Sequence, residues 1–251
     1  MGDNLSSIPA DNPFIRHIRG ERRRPRRTED PDRCRFHPDK PRIGCSDCLT
    51  DARVEGDLEA IARWHAAVQA GECDARFPPR FRTAQPSEPE IAAWVGEWEA
   101  REDPPGLLIL GSVGVGKTHQ AFGALRAAVT GARPVKWAAV SAGAMFDSLR
   151  PGDKRDPEKA MNSYLTVPLV LVDDLGAGKT SEWTEDVVFR VIDGRYAAEL
   201  PVIVTSNGTP VELRERLGDR VVSRLAEMCR RVHLTGPDRR RQAAAEQRRA
   251  A

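Results

Sequence analysis

The sequence lacks the features that would place it in a membrane or in a disulfide-stapled scaffold. No apolar run in its 251 residues approaches the roughly 18 residues that a membrane-spanning helix needs. No apolar stretch near the start reads as a secretory signal. Five cysteines, an odd number, exclude a disulfide framework and point to a reducing, cytoplasmic setting with metal ligands or free thiols. Charge of neither sign dominates: Lys+Arg total 39 and Asp+Glu 37, a net charge of +2, so the overall balance names no partner. No internal repeat is visible. What remains is a globular composition, 40% hydrophobic and 30% charged, long enough for one substantial domain and a small one.

Charge is nevertheless unevenly placed. From Arg16 to Arg27 seven arginines face only Glu21, with Pro25 among them. This segment, within residues 1–33, reads as a basic flexible arm, either a solubilising tail or a nucleic-acid contact. Residues 54–70 read as a helix with Val54, Leu58, Ile61, Trp64, Ala67 and Val68 at three- and four-residue steps. Arg76 to Pro89, with Pro78, Pro79, Pro86 and Pro89, reads as a linker. A second helix carries Ile91, Trp94, Val95 and Trp98 on one face and ends near Asp103-Pro104-Pro105-Gly106. Short β-type runs then alternate with helical stretches: Leu107–Leu110, Pro134–Val140, Leu169–Val172, Val202–Thr205 and Val232–Leu234. That alternation predicts an α/β domain with a parallel sheet covered on both faces, over residues 76–242, followed by a tail over 243–251.

Gly111-Ser-Val-Gly-Val-Gly-Lys-Thr118 satisfies the phosphate-loop pattern G-x-x-x-x-G-K-[ST], and it lies between a predicted strand and a predicted helix. Backbone N–H groups around Gly111, Gly114, Val115 and Gly116 would cradle phosphate oxygens at the positive end of that helix. Lys117 would reach the β- and γ-phosphates, and the Thr118 hydroxyl would ligate Mg²⁺. ATP is the implied ligand. Gly176-Ala-Gly-Lys-Thr180 looks like a second copy, but Asp173 stands where its first glycine should be. Lys179 and Thr180 read as loop residues.

The apolar run Leu169–Val172 delivers Asp173-Asp174 to the sheet edge, where a metal and an attacking water must be held. Asp173 would hold Mg²⁺ through water, and Asp174 would orient or deprotonate the attacking water. A helix-capping pair is the alternative. Val202-Ile-Val-Thr-Ser-Asn207 brings Asn207 to the same edge as a candidate sensor of the γ-phosphate.

Cys34, His37, Cys45 and Cys48 stand as C-x2-H-x7-C-x2-C. Two chelating pairs of this kind can close a tetrahedral Zn²⁺ site in a small N-terminal module over residues 34–75. Redox use is the alternative, but no thioredoxin-like strand precedes Cys45. Cys73 and Cys229 read as free thiols.

GSVGVGKT, LVLVDDLG, RYAAELPVIVTSN and GDRVVSRL, in this order and spacing, resemble the DnaC/IstB group of AAA+ ATPases, which includes replicative helicase loaders and transposition helper ATPases. The resemblance covers roughly residues 76–240. It implies a five-stranded parallel AAA+ core with the P-loop strand central, and ATP bound between subunits of a ring or spiral. It makes Arg224 an arginine finger toward a neighbour's γ-phosphate, assisted by Arg220; a solvent-facing basic turn is the alternative. It assigns a second sensor to Arg240, with Arg239 as the other register, although the family's aromatic before that arginine is absent. A large helical lid is not expected. Lys154, Arg155 and Lys159 fall where related loaders line a channel for single-stranded DNA; a solvated helix–loop–helix is the alternative. Certain loaders also carry a small zinc domain that grips the replicative helicase, while a zinc ribbon beside a basic arm could bind DNA instead. The implied function is an ATP-dependent loader that places a replicative DNA helicase on single-stranded DNA. A transposition helper that binds duplex DNA and recruits a transposase is the second reading. A nucleotide-gated adaptor is the third, since Asp174 stands where AAA+ proteins more usually carry Glu.

Overall fold

Leu107, Leu108, Ile109 and Leu110 are all apolar, and such a strand needs a layer of helices on each face to hide it. The computed structural model supplies both layers. It describes residues 62–101, 103–131, 135–152, 156–177, 181–239 and 241. The Arg16–Arg27 arm, the Cys34, His37, Cys45 and Cys48 cluster, Lys154, Arg155, Lys179, Thr180 and Arg240 lie outside them. The chain divides into units of residues 1–65 and 66–251. In the first, residues 62–65 are helical, with Trp64 and His65 packed edge to face.

The second unit opens with helical residues 66–76 (α1) and a 3-10 turn Pro79–Phe81. Next come α2 (Pro89–Ala100), β1 (Gly106–Gly111), α3 (Lys117–Thr130), β2 (Trp137–Ser141), α4 (Ala142–Leu149) and α5 (Pro157–Thr166). β3 (Leu169–Asp173), α6 (Glu182–Ala197), β4 (Val202–Ser206), α7 (Pro210–Met228) and β5 (Cys229–Leu234) complete it. α7 is two helical pieces broken at Gly218, whose φ is 78°. The helix starts follow side-chain caps. Ser181 and Thr209 make reciprocal capping boxes with Thr184 and Glu212, and each satisfies amide groups that would otherwise have no partner.

The five strands are all parallel, in the order β2-β3-β4-β1-β5. The P-loop strand β1 is interior, between β4 and β5, but β4 holds the middle position that the resemblance gave to β1. Alternate residues feed two cores. Leu107, Ile109, Leu169, Leu171 and Ile203 pack with α2 and α3 on one face. Leu108, Leu110, Val170, Val172, Val202 and Val204 pack with α4 to α7 on the other. Arg195 on α6 is fully buried, and donates to the carbonyls of Tyr164, Val167, Pro168 and Pro201. It ties together the chain entering β3 and the chain entering β4; burial lowers its pKa to about 10.

Trp64 and Val68, placed on one face of a helix by their spacing, are 58% and 39% exposed. Apolar spacing shows which residues share a face, not whether anything covers it. The proline-rich stretch 76–89 is not a free linker. Phe77 and Ala84 are buried in the α3-side core, and Phe81 stacks on Phe122 with ring planes 5° apart. Cys73 and Cys229 are free and buried, and burial raises their thiols to about 11 and about 12. Among the described residues no helix is long and apolar enough to cross a membrane.

Candidate nucleotide site

β1 ends at Gly111 and α3 begins at Lys117, so the glycine-rich turn lies at the carboxyl edge of the sheet. Gly116 caps α3 with φ 103°, a conformation that side-chain-bearing residues rarely adopt. The first amides of α3 are thereby presented without an acidic residue in the first turn, an arrangement that attracts anions. Lys117 is only 6% exposed, and its Nζ donates to the Ser112 carbonyl at 2.7 Å. This bond folds the ammonium back over the loop.

A cavity of about 540 Å³ opens beside this turn. Gly114, Gly116, Lys117 and Thr118 line one side; Asp173, Asp174 and Asn207 line the other. β3 and β4 are neighbours, which brings the acidic pair and Asn207 together. Thr205 organises them. Its hydroxyl donates to Asp173 Oδ1 at 2.7 Å and accepts from the Asp174 amide at 2.8 Å. Asp174 sits at φ 61°, in the left-handed region. Asn207 Nδ2 donates to Asp174 Oδ1. Non-glycine residues held this way concentrate at functional sites. Burial raises the Asp173 pKa, as does the Asp174 carboxylate; hydrogen bonds from Thr205 and Thr118, and the Lys117 charge, oppose the rise. A half-buried carboxylate beside a threonine hydroxyl, a lysine and a helix N-terminus suits a divalent cation bound with phosphate, so the donor set fits Mg²⁺ and a nucleotide. Among the described residues no three His, Cys, Asp or Glu side chains form a further metal cluster.

Several lining residues carry no signal in the sequence. Arg80 and Phe81 reach the cavity from the proline-rich stretch, and His119 from α3. Burial and the nearby Arg239 charge lower the His119 pKa. Gln120 is fully buried; it accepts from the Ser87 and Glu88 amides and donates to Ser87 Oγ, which anchors that stretch to α3. Nothing in the local pattern marks Phe81 or Gln120, because Phe122 lies 41 residues from Phe81 and Ser87 lies 33 residues from Gln120. Thr205 was legible in principle, as a hydroxyl inside an apolar strand.

Arg239 also lines the cavity. Its amide donates to the Gly114 carbonyl at 3.0 Å, and its guanidinium lies 3.7 Å from Glu88. Of the two arginines in register for a second sensor, Arg239 is the one among the described residues. Arg220 and Arg224 lie on α7 and do not line this cavity. Lys159 is exposed in the first turn of α5.

The model of the IstB-like ATP binding protein family matches residues 95–247, a span that includes the phosphate loop, the acidic pair and Asn207. The chain belongs to this family. Curated relatives of this IstB-like chain act in replication. The chromosomal replication initiator protein DnaA of Lacticaseibacillus paracasei is 31% identical over 134 residues, 53% of this chain and 29% of that protein. The replicative helicase loader DnaC of Escherichia coli K12 is 25% identical over 121 residues, 47% of this chain and 49% of that protein. The chain thus spans less than half the length of these relatives. A crystal structure of the DnaC helicase loader is similar to it at TM-score 0.56 and 25% identity, over 63% of this chain and all of that one. A crystal structure of DnaI, at 23% identity and TM-score 0.56, shares the fold over 65% of this chain and 94% of that one. The IstB-like domain is an α/β P-loop domain of the AAA+ fold, with five parallel strands.

Proposed function

We propose that this IstB-like chain hydrolyses ATP and uses the cycle to load a replicative DNA helicase onto single-stranded DNA. The convergence of Lys117, Thr118, Asp173, Asp174 and Asn207 in one cavity supports ATP hydrolysis. The α3 N-terminus and Lys117 bind and orient the phosphates. Mg²⁺, held by Thr118 and through water by Asp173, would neutralise charge on the β- and γ-oxygens. Asp174, fixed by Asn207 and by its own amide bond to Thr205, orients the attacking water and takes its proton as the water oxygen bonds to the γ-phosphorus and ADP leaves. Arg239 contacts the phosphates from the same chain. Arg224, outside the chain's own cavity, serves a neighbouring subunit in a ring or spiral, with Arg220 beside it.

The observation that carries the loader reading is the likeness to the DnaC helicase loader over the whole of that solved chain. Lys159, together with Lys154 and Arg155, would contact the DNA backbone. Cys34, His37, Cys45 and Cys48 would hold one Zn²⁺ in the module that meets the helicase. The family match itself favours a second reading, a transposition helper ATPase. Reconstitution separates the two. The chain is added with ATP to the replicative helicase of the same organism on a circular single strand, and in parallel to its transposase on duplex DNA. Stimulated unwinding supports the loader. Stimulated transposition alone replaces it with the helper.

A further inference from the structure

Phe189, Asp193 and Tyr196 share one face of α6, at steps of four and three residues. Arg220, Arg224 and Glu227 share one face of α7 at the same steps. The two faces meet rung by rung. The Arg220 guanidinium lies 5.9 Å from the Phe189 ring centre. Arg224 Nε lies 2.5 Å from Asp193 Oδ1, and its guanidinium sits 4.7 Å from the Tyr196 ring centre. The Tyr196 hydroxyl donates to Glu227 Oε1 at 2.8 Å, which fixes the ring under the guanidinium.

Arg224 is therefore not a loose surface arginine. Its side chain is 33% exposed, held from one side by a carboxylate and from another by an aromatic ring. The ion pair with Asp193 is made at Nε, the stem end of the guanidinium, by closeness of charge and without the alignment of a hydrogen bond. The Nη fork is the edge that pairs with phosphate oxygens in bidentate fashion. An arginine that must meet a phosphate on another molecule binds better when its rotamer is already fixed, because less ordering remains to be done at assembly.

We propose that Asp193 and Tyr196 are positioning residues that pre-organise Arg224 for the nucleotide phosphate of a second copy of this chain. This rests on the reading of Arg224 as a finger that acts between subunits. Asp193→Asn keeps the shape of the side chain and removes the charge that holds Nε. Its ATP affinity stays at the wild-type value, since the cavity contains neither Asp193 nor Arg224. Its kcat falls on the order of tenfold or more, as a misplaced catalytic group requires.

The test is a subunit-mixing assay of ATP turnover, run below the melting temperature of every variant. Asp193→Asn mixed with Lys117→Ala regains turnover, because the first supplies an intact cavity and the second an intact finger. Asp193→Asn mixed with Arg224→Ala gains nothing, because neither supplies a well-placed finger. Recovery in that second mixture would overturn the proposal, as it would place the Asp193 defect in the chain's own cavity. Wild-type turnover by Asp193→Asn alone, with Arg224→Ala inactive, would overturn it too and leave Asp193 a helix staple. Full turnover by Arg224→Ala would instead remove the finger reading on which the proposal rests.

Discussion

Thr205 on β4 donates its hydroxyl proton to Oδ1 of Asp173 on the adjacent strand β3, at 2.7 Å. The same hydroxyl accepts from the Asp174 amide, so one side chain holds both members of the acidic pair. Thr205→Val keeps the shape and removes both bonds. It is expected to cost about 1–3 kcal/mol of stability, because a half-buried amide and a carboxylate oxygen lose a partner. ATP turnover falls much more than ATP affinity, measured by steady-state kinetics beside equilibrium binding.

Burial raises the Asp173 pKa, so ionising this carboxylate costs more in the fold than in the unfolded chain. The sign follows: its contribution to stability is highest when it is protonated, and is lost as pH rises through its folded pKa. Asp173→Asn is therefore expected to melt above wild type at pH 7, with the gap closing toward pH 4, while losing ATP hydrolysis. Thermal melts of the two proteins across that range check the direction.

Gly123 on α3 faces the backbone of the proline-rich stretch. A Cβ there would lie 2.5 Å from the Gln85 carbonyl carbon and 2.7 Å from the Pro86 nitrogen. Gly123→Ala must push that stretch off α3, an overpacking cost of about 1–3 kcal/mol. Because Arg80 and Phe81 line the cavity from the same stretch, ATP affinity should fall with it. Denaturant melts and ATP titration on one preparation test the coupling.

Replacing Lys154, Arg155 and Lys159 with alanine is expected to weaken single-stranded DNA binding at every sequence. Every phosphate that is no longer neutralised reduces the salt slope by about 0.7, or about 2 for all three. Affinities measured over a range of salt concentrations give that slope. Deleting residues 1–33 addresses the basic arm: if this deletion alone removes ATP-dependent DNA binding, the arm rather than the lysine-rich segment holds the DNA.

β2, β3 and β4 were legible because each is a run of apolar residues ending in a polar one, and β1 because Leu107–Leu110 is apolar throughout. The phosphate loop was legible because its glycines, lysine and threonine are adjacent in sequence. The sheet order was not, since nothing local tells β1 that β4 rather than β3 lies beside it. β1 begins at Gly106, one residue before the apolar run Leu107–Leu110, but β5 begins at Cys229, three residues before Val232. Arg230 and Arg231 broke the apolar signal there; Arg230 pairs with Glu97 on α2 instead of ending the strand. The cavity was half legible. Lys117, Asp173, Asp174 and Asn207 come from edges that a parallel sheet must bring together. Phe81, Gln120 and Thr205 act through partners set only by the fold.

ATP titration of wild type and Lys117→Ala, side by side in Mg²⁺, tests most directly that the cavity beside α3 is the nucleotide site. Wild type is expected to bind one ATP per chain. Lys117→Ala should bind on the order of tenfold to a hundredfold more weakly, through loss of a charge-assisted hydrogen bond. Equal affinities, or no ATP binding by wild type, would contradict the assignment.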